Sequence, residues 1–238
     1  MRNLLDLVEC AAHQYKSVMN PPGNRVVITG GEGELAQAIH AYLDEQGYRV
    51  QAPGSSELDV SDPKGVHAYF KSRELDLLIC NAAITRDHPL ALLKESNWDE
   101  VVQINLKGAI RCAKMAIEQM KGRGGGSIVF LSSYSAIHPP IGQAAYATSK
   151  AALLGLMREF AAEVGAENIR VNAVLPGFLE TRMTDGLSKQ QKHEFRQHHV
   201  LGRFNTKQKV AAFIGMLHAE LIHTSGQVFQ LDSRPHGY

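Results

Sequence analysis

A serine, a tyrosine and a lysine in the middle of the chain have a spacing that suits acid–base chemistry. Ser133 precedes Tyr146 by thirteen residues, and Lys150 follows Tyr146 by four. In a helix, residues four apart lie on one face, so the Lys150 ammonium would lie beside the phenol. A nearby cation favours the phenolate and lowers the pKa of a tyrosine, ordinarily ~10. The pattern predicts a proton-transferring tyrosine, with Ser133 placed to hold a substrate oxygen.

The Tyr-x-x-x-Lys spacing alone is a weak signal, because both residue types are common. Its surroundings strengthen it. The spacing of Ser133, Tyr146 and Lys150 resembles the catalytic signature of the short-chain dehydrogenase/reductase family, and the similarity extends from about Arg25 to about Leu231. The flanking segments look most like the 3-oxoacyl-[acyl-carrier-protein] reductase branch. The resemblance implies a single-domain Rossmann enzyme that moves a hydride between NAD(P) and a carbonyl or alcohol.

A glycine-rich turn separates a short apolar strand, Arg25–Ile28, from a predicted helix over Gln37–Gln46. This arrangement is typical of dinucleotide binding, since the turn lets a pyrophosphate approach the backbone at the helix N-terminus. The family pattern Thr-Gly-x-x-x-Gly-x-Gly is matched at its start, but Glu34 and Ala36 replace its second and third glycines. The predicted cofactor contacts of this turn are Thr29, Gly30, Gly31, Gly33 and Leu35.

Glu34 is the main departure from the family pattern. A carboxylate at a helix N-terminus offsets the helix dipole, but it competes with a pyrophosphate for the same amides. The side chain can point to water, it can cap its own helix and block the site, or the loop can take another path through Gly31 and Gly33. We expect it to point to water, because a long side chain at a helix start reaches solvent at low cost.

The choice between NADP and NAD depends on the end of the second predicted strand, Arg49–Ala52. In such folds an acid near this point accepts the ribose hydroxyls and selects NAD. Here no acid follows before Glu57, and Ser55 and Ser56 are candidate phosphate partners. No arginine is well placed to hold a 2′-phosphate. The sequence therefore predicts only a weak preference for NADP over NAD.

The family resemblance implies roles for further residues. Asn105 falls on the position of the family's catalytic asparagine, which bends its helix and holds a water that links the lysine to solvent. Thr181 falls where a threonine meets the nicotinamide carboxamide, and Lys150 can bond the nicotinamide ribose. The other cofactor contacts implied in this way are Asp59, Val60, Asn81, Ala82, Ala83, Tyr146, Pro176 and Gly177.

These residues require an α/β fold to position them. We predict a single-domain Rossmann fold with a doubly wound parallel sheet of about seven strands and helices on both faces. Residues 1–24 are predicted to form an N-terminal helical extension, and residues 25–238 the Rossmann-type domain. Residues 182–200 are predicted to form a mobile lid. The lid carries three histidines that we interpret as exposed polar residues rather than metal ligands: His193, His198 and His199.

Composition limits the possible partners. The formal net charge is +1, with 44% apolar and 21% charged residues, so the sequence favours neither nucleic acid nor a membrane as a partner. No apolar run reaches the ~18 residues of a membrane span, and the N-terminus does not resemble a signal peptide. The three cysteines, Cys10, Cys80 and Cys112, lack a metal-binding spacing and are typical of a reducing cytoplasm.

The predicted reaction is hydride transfer between a nicotinamide and a small-molecule carbonyl or acyl-thioester substrate. Tyr146 exchanges a proton with the substrate oxygen, and Ser133, Lys150 and Asn105 support it. Two alternatives remain open. One is a sugar, polyol or steroid dehydrogenase of the same family; the other is a non-catalytic cofactor-sensing or scaffold homologue with an impaired glycine loop. A homodimer or homotetramer built on the Asn105 and Tyr146 helices is also predicted.

Overall fold

The computed structural model describes residues 23–235, and the predicted helix within residues 1–24 falls almost wholly outside that range. The described chain forms one parallel sheet of six strands in the order β2-β1-β3-β4-β5-β6. The strands are β1 (Arg25–Ile28), β2 (Arg49–Gln51), β3 (Leu77–Cys80), β4 (Gly126–Leu131), β5 (Ile169–Leu175) and β6 (Val228–Gln230).

Seven α-helices accompany the strands of the described chain. They are α1 (Glu34–Glu45), α2 (Pro63–Phe70), α3 (Glu95–Val102), α4 (Ala109–Met120), α5 (Ala144–Val164), α6 (Lys189–Gln197) and α7 (Lys207–Ala219). A π-helical segment, Gln103–Gly108, joins α3 to α4 so that the two run as one long helix. Short 3₁₀ turns cover Leu90–Leu92, Tyr134–Ala136, Gly165–Glu167 and Arg182–Thr184.

The strand count corrects the expectation of about seven. The described residues form six strands. A further strand outside β2 would need its own connection between β2 and β3. That stretch holds a loop of residues 52–62 and the single helix α2, so β2 remains at the edge of the sheet.

The sheet is doubly wound, as predicted, with one hydrophobic core on each face. Successive residues of a strand point to opposite faces. In β1, Val27 points to a core built with α2, α4 and α5. Val26 and Ile28 point to a second core built with α1 and α7. Burial of apolar surface on both faces is the main stabilising contribution to such a fold.

The strand order changes direction at β1. The chain passes from β1 outward to β2, then returns to place β3 on the other side of β1. In open parallel sheets, ligands bind at such a switch point, beyond the carboxyl ends of the strands. The glycine-rich turn follows β1 at this edge, and Ser133 follows β4 at the same edge.

Candidate active site

Helix α5 positions Tyr146 and Lys150 one turn apart, near its N-terminus. Tyr146 is half-buried, whereas Lys150 is only 3% exposed. The Lys150 Nζ lies 5.7 Å from the centroid of the Tyr146 ring and donates a hydrogen bond to the carbonyl oxygen of Leu131 at 2.8 Å. The lysine is therefore anchored to the end of β4 beside the tyrosine.

Ser133 reaches the tyrosine from the carboxyl end of β4. Its hydroxyl accepts a hydrogen bond from the Ser135 amide at 3.1 Å and interacts with the Tyr146 phenol. The preceding residue, Ser132, donates to the carbonyl of Lys150 at 2.8 Å. This bond ties the end of β4 to the first turns of α5, so the structure brings Ser133, Tyr146 and Lys150 together.

Burial controls the pKa values in this group. It raises the pKa of Tyr146, and the Ser133 hydroxyl acts in the opposite direction. It lowers the pKa of Lys150 to about 8. The sequence predicted that Lys150 lowers the pKa of Tyr146. In the structure burial raises that pKa instead, while Lys150 bonds the Leu131 carbonyl and the Ser133 hydroxyl opposes the rise.

Asn105 lies in the π-helical segment and is 1% exposed. Its Oδ1 accepts from the Ile84 amide at 2.8 Å, and its Nδ2 donates to the Ile84 carbonyl at 3.0 Å and to the Ser149 hydroxyl at 3.1 Å. Ser149 in turn donates to the Tyr146 carbonyl at 2.7 Å. Asn105 thus connects the loop after β3 to the helix that carries the tyrosine. π-Helical segments often occur at functional sites.

The glycine-rich turn is joined to the loop after β3. Thr29 is 2% exposed, and its hydroxyl accepts from the amides of Asn81 and Ala82 at 3.1 and 3.0 Å. The Asn81 side chain donates back to the carbonyls of Thr29 and Gly30, both at 3.1 Å. Gly30 has φ +68°, and a Cβ there would lie 2.8 Å from the Ala82 Cα. Glycine at this position therefore allows the positive φ and the close packing against the loop after β3, and a turn without a side chain there fits a closely approaching dinucleotide.

Glu34 does not extend freely into water as we expected. One carboxylate oxygen accepts from the Arg182 amide at 2.7 Å, and the other pairs with the Lys207 ammonium of α7. The hydrogen bond from Lys207, reinforced by the Arg182 amide, lowers the pKa of Glu34. The carboxylate therefore joins the start of α1 to the segment after β5, and Lys207 offsets its charge.

The other predicted cofactor contacts lie in loops at the same edge of the sheet. Asp59 is exposed and accepts from the Ser61 amide at 2.8 Å, while Val60 is buried against Gly108. Thr181 is extended and begins the 3₁₀ turn Arg182–Thr184 through a reciprocal capping arrangement. The remaining contacts are the half-buried Gly31, Gly33, Leu35 and Ala83, with Pro176 and Gly177 directly after β5.

The lid histidines differ from one another. His193 and His198 are exposed as predicted, but His199 is 2% exposed, which corrects the prediction for that residue. Its Nδ1 lies 2.8 Å from the Phe195 carbonyl, and its ring packs edge-on against Phe204. Aromatic packing after α6 therefore covers it. Among residues 23–235, no group of three or more histidine, cysteine or acidic side chains could hold a metal.

Four residues near the site were not predicted from the sequence. Arg182 and Lys207 hold Glu34, and Asp232 pairs with Arg234. The Arg234 guanidinium lies 3.5 Å from the centroid of the Tyr134 ring, next to Ser133. Their partners lie far away along the chain or in an irregular terminal segment, so no local spacing indicates them.

A switch-point glycine turn beside a Ser–Tyr–Lys group defines a dinucleotide-dependent oxidoreductase of the α/β class. A family model described as enoyl-(acyl carrier protein) reductase matches residues 12–233. The chain belongs to the short-chain dehydrogenase/reductase family and is an oxidoreductase.

Several curated relatives are similar over most of the chain. The 3-oxoacyl-[acyl-carrier-protein] reductase FabG of Aquifex aeolicus is 33% identical over 220 residues, 87% of this chain and 88% of the relative. The FabG of Thermotoga maritima is 40% identical over 163 residues, 68% of this chain and 66% of the relative. The FabG of Vibrio cholerae is 28% identical over 244 residues, 90% of this chain and all of the relative. No helix among residues 23–235 has the length and apolar character to cross a membrane.

Proposed function

We propose that the protein reduces the ketone of a 3-oxoacyl thioester with NAD(P)H. The observation that carries this proposal is the convergence of the Ser133 and Tyr146 hydroxyls beside the buried Lys150, at the edge where the glycine turn lies. The names of the relatives, all 3-oxoacyl-[acyl-carrier-protein] reductases, support the substrate class.

Tyr146 acts as the proton donor in this proposal. Bound NAD(P)H supplies the hydride, and the protein residues orient the ketone and supply the proton. Burial raises the pKa of Tyr146, which keeps the phenol protonated before the reaction. The Ser133 hydroxyl holds the substrate oxygen beside the phenol. As the proton leaves, the Lys150 ammonium stabilises the phenolate that forms.

Asn105 positions the tyrosine helix. Its contact with Ser149, which itself bonds the Tyr146 carbonyl, fixes the first turn of α5 relative to the loop after β3. Its side-chain amide is engaged with Ile84 and Ser149. The relay of protons from Lys150 to solvent, implied by the family resemblance, stays a prediction.

The other functions compete less well with this geometry. The description of the matching family model names an enoyl reductase, and in enoyl reduction a carbon–carbon double bond accepts the hydride. The adjacent hydroxyls of Ser133 and Tyr146 suit a carbonyl oxygen better, because a carbonyl oxygen can accept hydrogen bonds from both. The scaffold alternative rested on Glu34 impairing the glycine loop, and Lys207 offsets that charge. The residues of the predicted lid, 182–200, would determine whether a sugar, polyol or steroid binds in place of a 3-oxoacyl thioester.

Three finer properties stay predictions. The weak preference for NADPH predicted from the sequence rests only on the acid that is absent directly after β2, and the contacts of Glu32 described below oppose it; the relatives' names do not mention the cofactor. Assembly into a homodimer or homotetramer rests on the apolar and small residues of the Asn105 and Tyr146 helices. A cytoplasmic location rests on the cysteine pattern; among the described cysteines, Cys80 and Cys112 are free, buried thiols.

The substrate class is tested by following nicotinamide oxidation with matched substrates. We expect a short 3-oxoacyl thioester to be reduced at least about a hundredfold faster than the 2-enoyl thioester of the same chain length, because the catalytic hydroxyls act on an oxygen. A sugar ketone and a steroid ketone serve as the alternative substrates. Faster reduction of the enoyl thioester, or of either alternative ketone, would contradict the proposal.

A further inference from the structure

We propose that Glu32, in the glycine-rich turn, provides the carboxylate that binds the adenosine ribose and makes the protein select NADH over NADPH. The inference rests on the proposed use of a nicotinamide dinucleotide. It reverses the weak preference predicted from the position of acids along the chain.

The acid that selects NAD in such folds ordinarily follows the second strand. Here β2 ends at Gln51, and the following loop has no acid before Glu57. Glu32 belongs to the turn after β1, about twenty residues earlier in the chain. Chain position therefore does not connect Glu32 with the end of β2, although the two are neighbours in space.

The glycine turn packs directly onto the segment that follows β2. The Gly31 amide donates to the Pro53 carbonyl at 2.8 Å, and a Cβ on Gly31 would lie 1.9 Å from the Ala52 carbonyl oxygen. A side chain at position 31 would thus collide with the backbone after β2. This close approach carries the next residue, Glu32, across the end of the strand.

The Glu32 carboxylate lies over Gly54 and Ser55. A Cβ on Gly54 would meet the Glu32 Oε1 at 2.7 Å, and the Ser55 hydroxyl donates to the Glu32 Oε2 at 3.4 Å. The backbone of Glu32 is held as well, since its carbonyl accepts from the Arg182 guanidinium at 2.9 Å. An exposed carboxylate on a fixed backbone consequently occupies the place where an acid following β2 would be.

The space next to Ser55, which bonds this carboxylate, is lined mainly by polar residues. A cavity of about 550 Å³ opens next to Ser55, within the range of small-molecule sites. Two of its lining residues are carboxylates, Asp59 and Glu100, and none is an arginine or lysine. The complete lining is Ser55, Ser56, Asp59, Ser61, Glu100, Gln103 and Ile104.

The arginines that approach this region are all bonded to protein groups. Arg73 donates to the Gln51 side chain at 3.2 Å, and Arg86 pairs with Glu100 at 2.7 Å. Arg111 donates to the carbonyl of Val60 at 3.2 Å, and Arg182 donates to the carbonyl of Glu32. A 2′-phosphate carries about 1.5 to 2 negative charges and needs such a cation as its partner. A ribose 2′-hydroxyl, in contrast, donates a hydrogen bond to a carboxylate. Glu32 therefore attracts the ribose of NADH and repels the phosphate of NADPH.

Direct binding measurements test the inference without relying on turnover. NADH and NADPH are titrated separately into the wild-type protein, Glu32→Gln and Glu45→Gln, with nicotinamide fluorescence as the readout. Glu45→Gln removes the same charge at the far end of α1, the helix that follows the turn, where Glu45 is exposed. We expect the wild type and Glu45→Gln to bind NADH at least about tenfold more tightly than NADPH.

In Glu32→Gln we expect the ratio of the NADPH to the NADH dissociation constant to fall below about threefold. The main reason is that NADPH binds more tightly once the repulsion is removed. Added salt should also lower this ratio in the wild type, since salt screens exposed charges. Equal or tighter binding of NADPH by the wild type, or an unchanged ratio in Glu32→Gln, would overturn the assignment of Glu32. Binding of neither dinucleotide by the wild type would overturn the proposed function itself.

Discussion

At the scale of single residues, the proposed proton donor, Tyr146, and its neighbour Lys150 have opposite pKa shifts with one cause. Burial disfavours the charged form of each, so it raises the pKa of Tyr146 and lowers that of Lys150 to about 8. The phenol is thereby kept protonated for donation. The lysine, however, loses its charge at a pH where many enzymes still work.

We therefore expect ketone reduction to decline as the pH rises through about 8. Lys150 is protonated below its pKa of about 8 and neutral above it, and only the protonated form stabilises the phenolate. The measurement is kcat/KM for reduction against pH, with Lys150→Arg as the comparison, because arginine stays charged throughout. In that variant the alkaline decline should move upward by at least about one pH unit. An identical decline in both proteins would assign it to another group.

Removal of Glu34 should alter dinucleotide affinity only modestly. The carboxylate is paired with Lys207 and the Arg182 amide, so it presents little net charge to a pyrophosphate. We expect Glu34→Gly to tighten binding by less than about tenfold, and the gain to shrink at high salt. Titration at two salt concentrations measures this. A gain of about a hundredfold would show that Glu34 blocks the natural protein, in favour of the sensing alternative.

The spacing of residues along the chain predicts some contacts but not others. Ser133, Tyr146 and Lys150 are close together in the chain, so their spacing on a strand end and a helix was sufficient to propose the group. Glu34 meets Arg182 and Lys207 across 148 and 173 residues of sequence. Such contacts depend on how the loops of a finished sheet meet, and no local pattern encodes them.

At the scale of secondary structure elements, the π-helical segment transmits the position of the loop after β3 to α5. Asn105 makes three side-chain hydrogen bonds in a buried position. We expect Asn105→Ala to lower the free energy of unfolding by about 2–3 kcal/mol, because it leaves the Ile84 amide and carbonyl without these partners. Denaturant unfolding measures the loss.

Turnover should fall in Asn105→Ala even where the protein is fully folded, because the start of α5 loses its link to Ser149. Lys107→Ala is the control, since Lys107 lies in the same π-helical segment but is exposed. That change should leave stability within about 0.5 kcal/mol. A folded Asn105→Ala protein with normal turnover would contradict the positioning role.

Element type was more predictable than element extent. The strand Arg25–Ile28 was predicted at the position where it occurs, whereas the helix predicted over Gln37–Gln46 spans Glu34–Glu45. The last strand, β6, spans only Val228–Gln230. The reason is that the preceding residues meet β5 partly through side chains; Ser225 accepts from the Val171 amide, for example. The alternation of apolar and polar residues along a strand does not show where a side chain replaces a backbone group as the hydrogen-bond partner.

At the scale of the whole molecule, the doubly wound sheet was predicted from the sequence, and the oligomeric state stays a prediction. The long α3–α4 helix and α5 are the predicted contact surface. Gly155 is exposed on α5, and a Cβ there would meet nothing within 4 Å of the chain itself. A larger side chain at this position should therefore be tolerated by a monomer and opposed by a neighbouring copy.

We expect light scattering at micromolar concentration to show a dimer or tetramer. Gly155→Arg should raise the dissociation constant of that oligomer at least about tenfold. Gly165→Arg is the control, because Gly165 is exposed and unobstructed at the end of the same helix. A wild-type monomer, or an oligomer that is indifferent to Gly155→Arg, would contradict this interface.

The fold class and the proximity of Ser133, Tyr146 and Lys150 could be predicted because each depends on short patterns: apolar strands, a glycine turn and a helical four-residue spacing. The number of strands, expected to be about seven, is six among the described residues. The proposed role of Glu32 could not be predicted, since it depends on contact between two loops at the sheet edge. Long-range loop contacts therefore limited the sequence-based predictions more than the core did.

Tyr146→Phe tests the proposed proton donor most directly. The substitution removes one hydroxyl and keeps the ring beside Lys150, so the fold and dinucleotide binding should be retained. With a 3-oxoacyl thioester we expect turnover to fall at least about a thousandfold, while Tyr134→Phe, a change in the ring next to Ser133, stays near the wild type. Substantial turnover by a folded Tyr146→Phe protein that still binds the dinucleotide would contradict the assignment of Tyr146 as the acid.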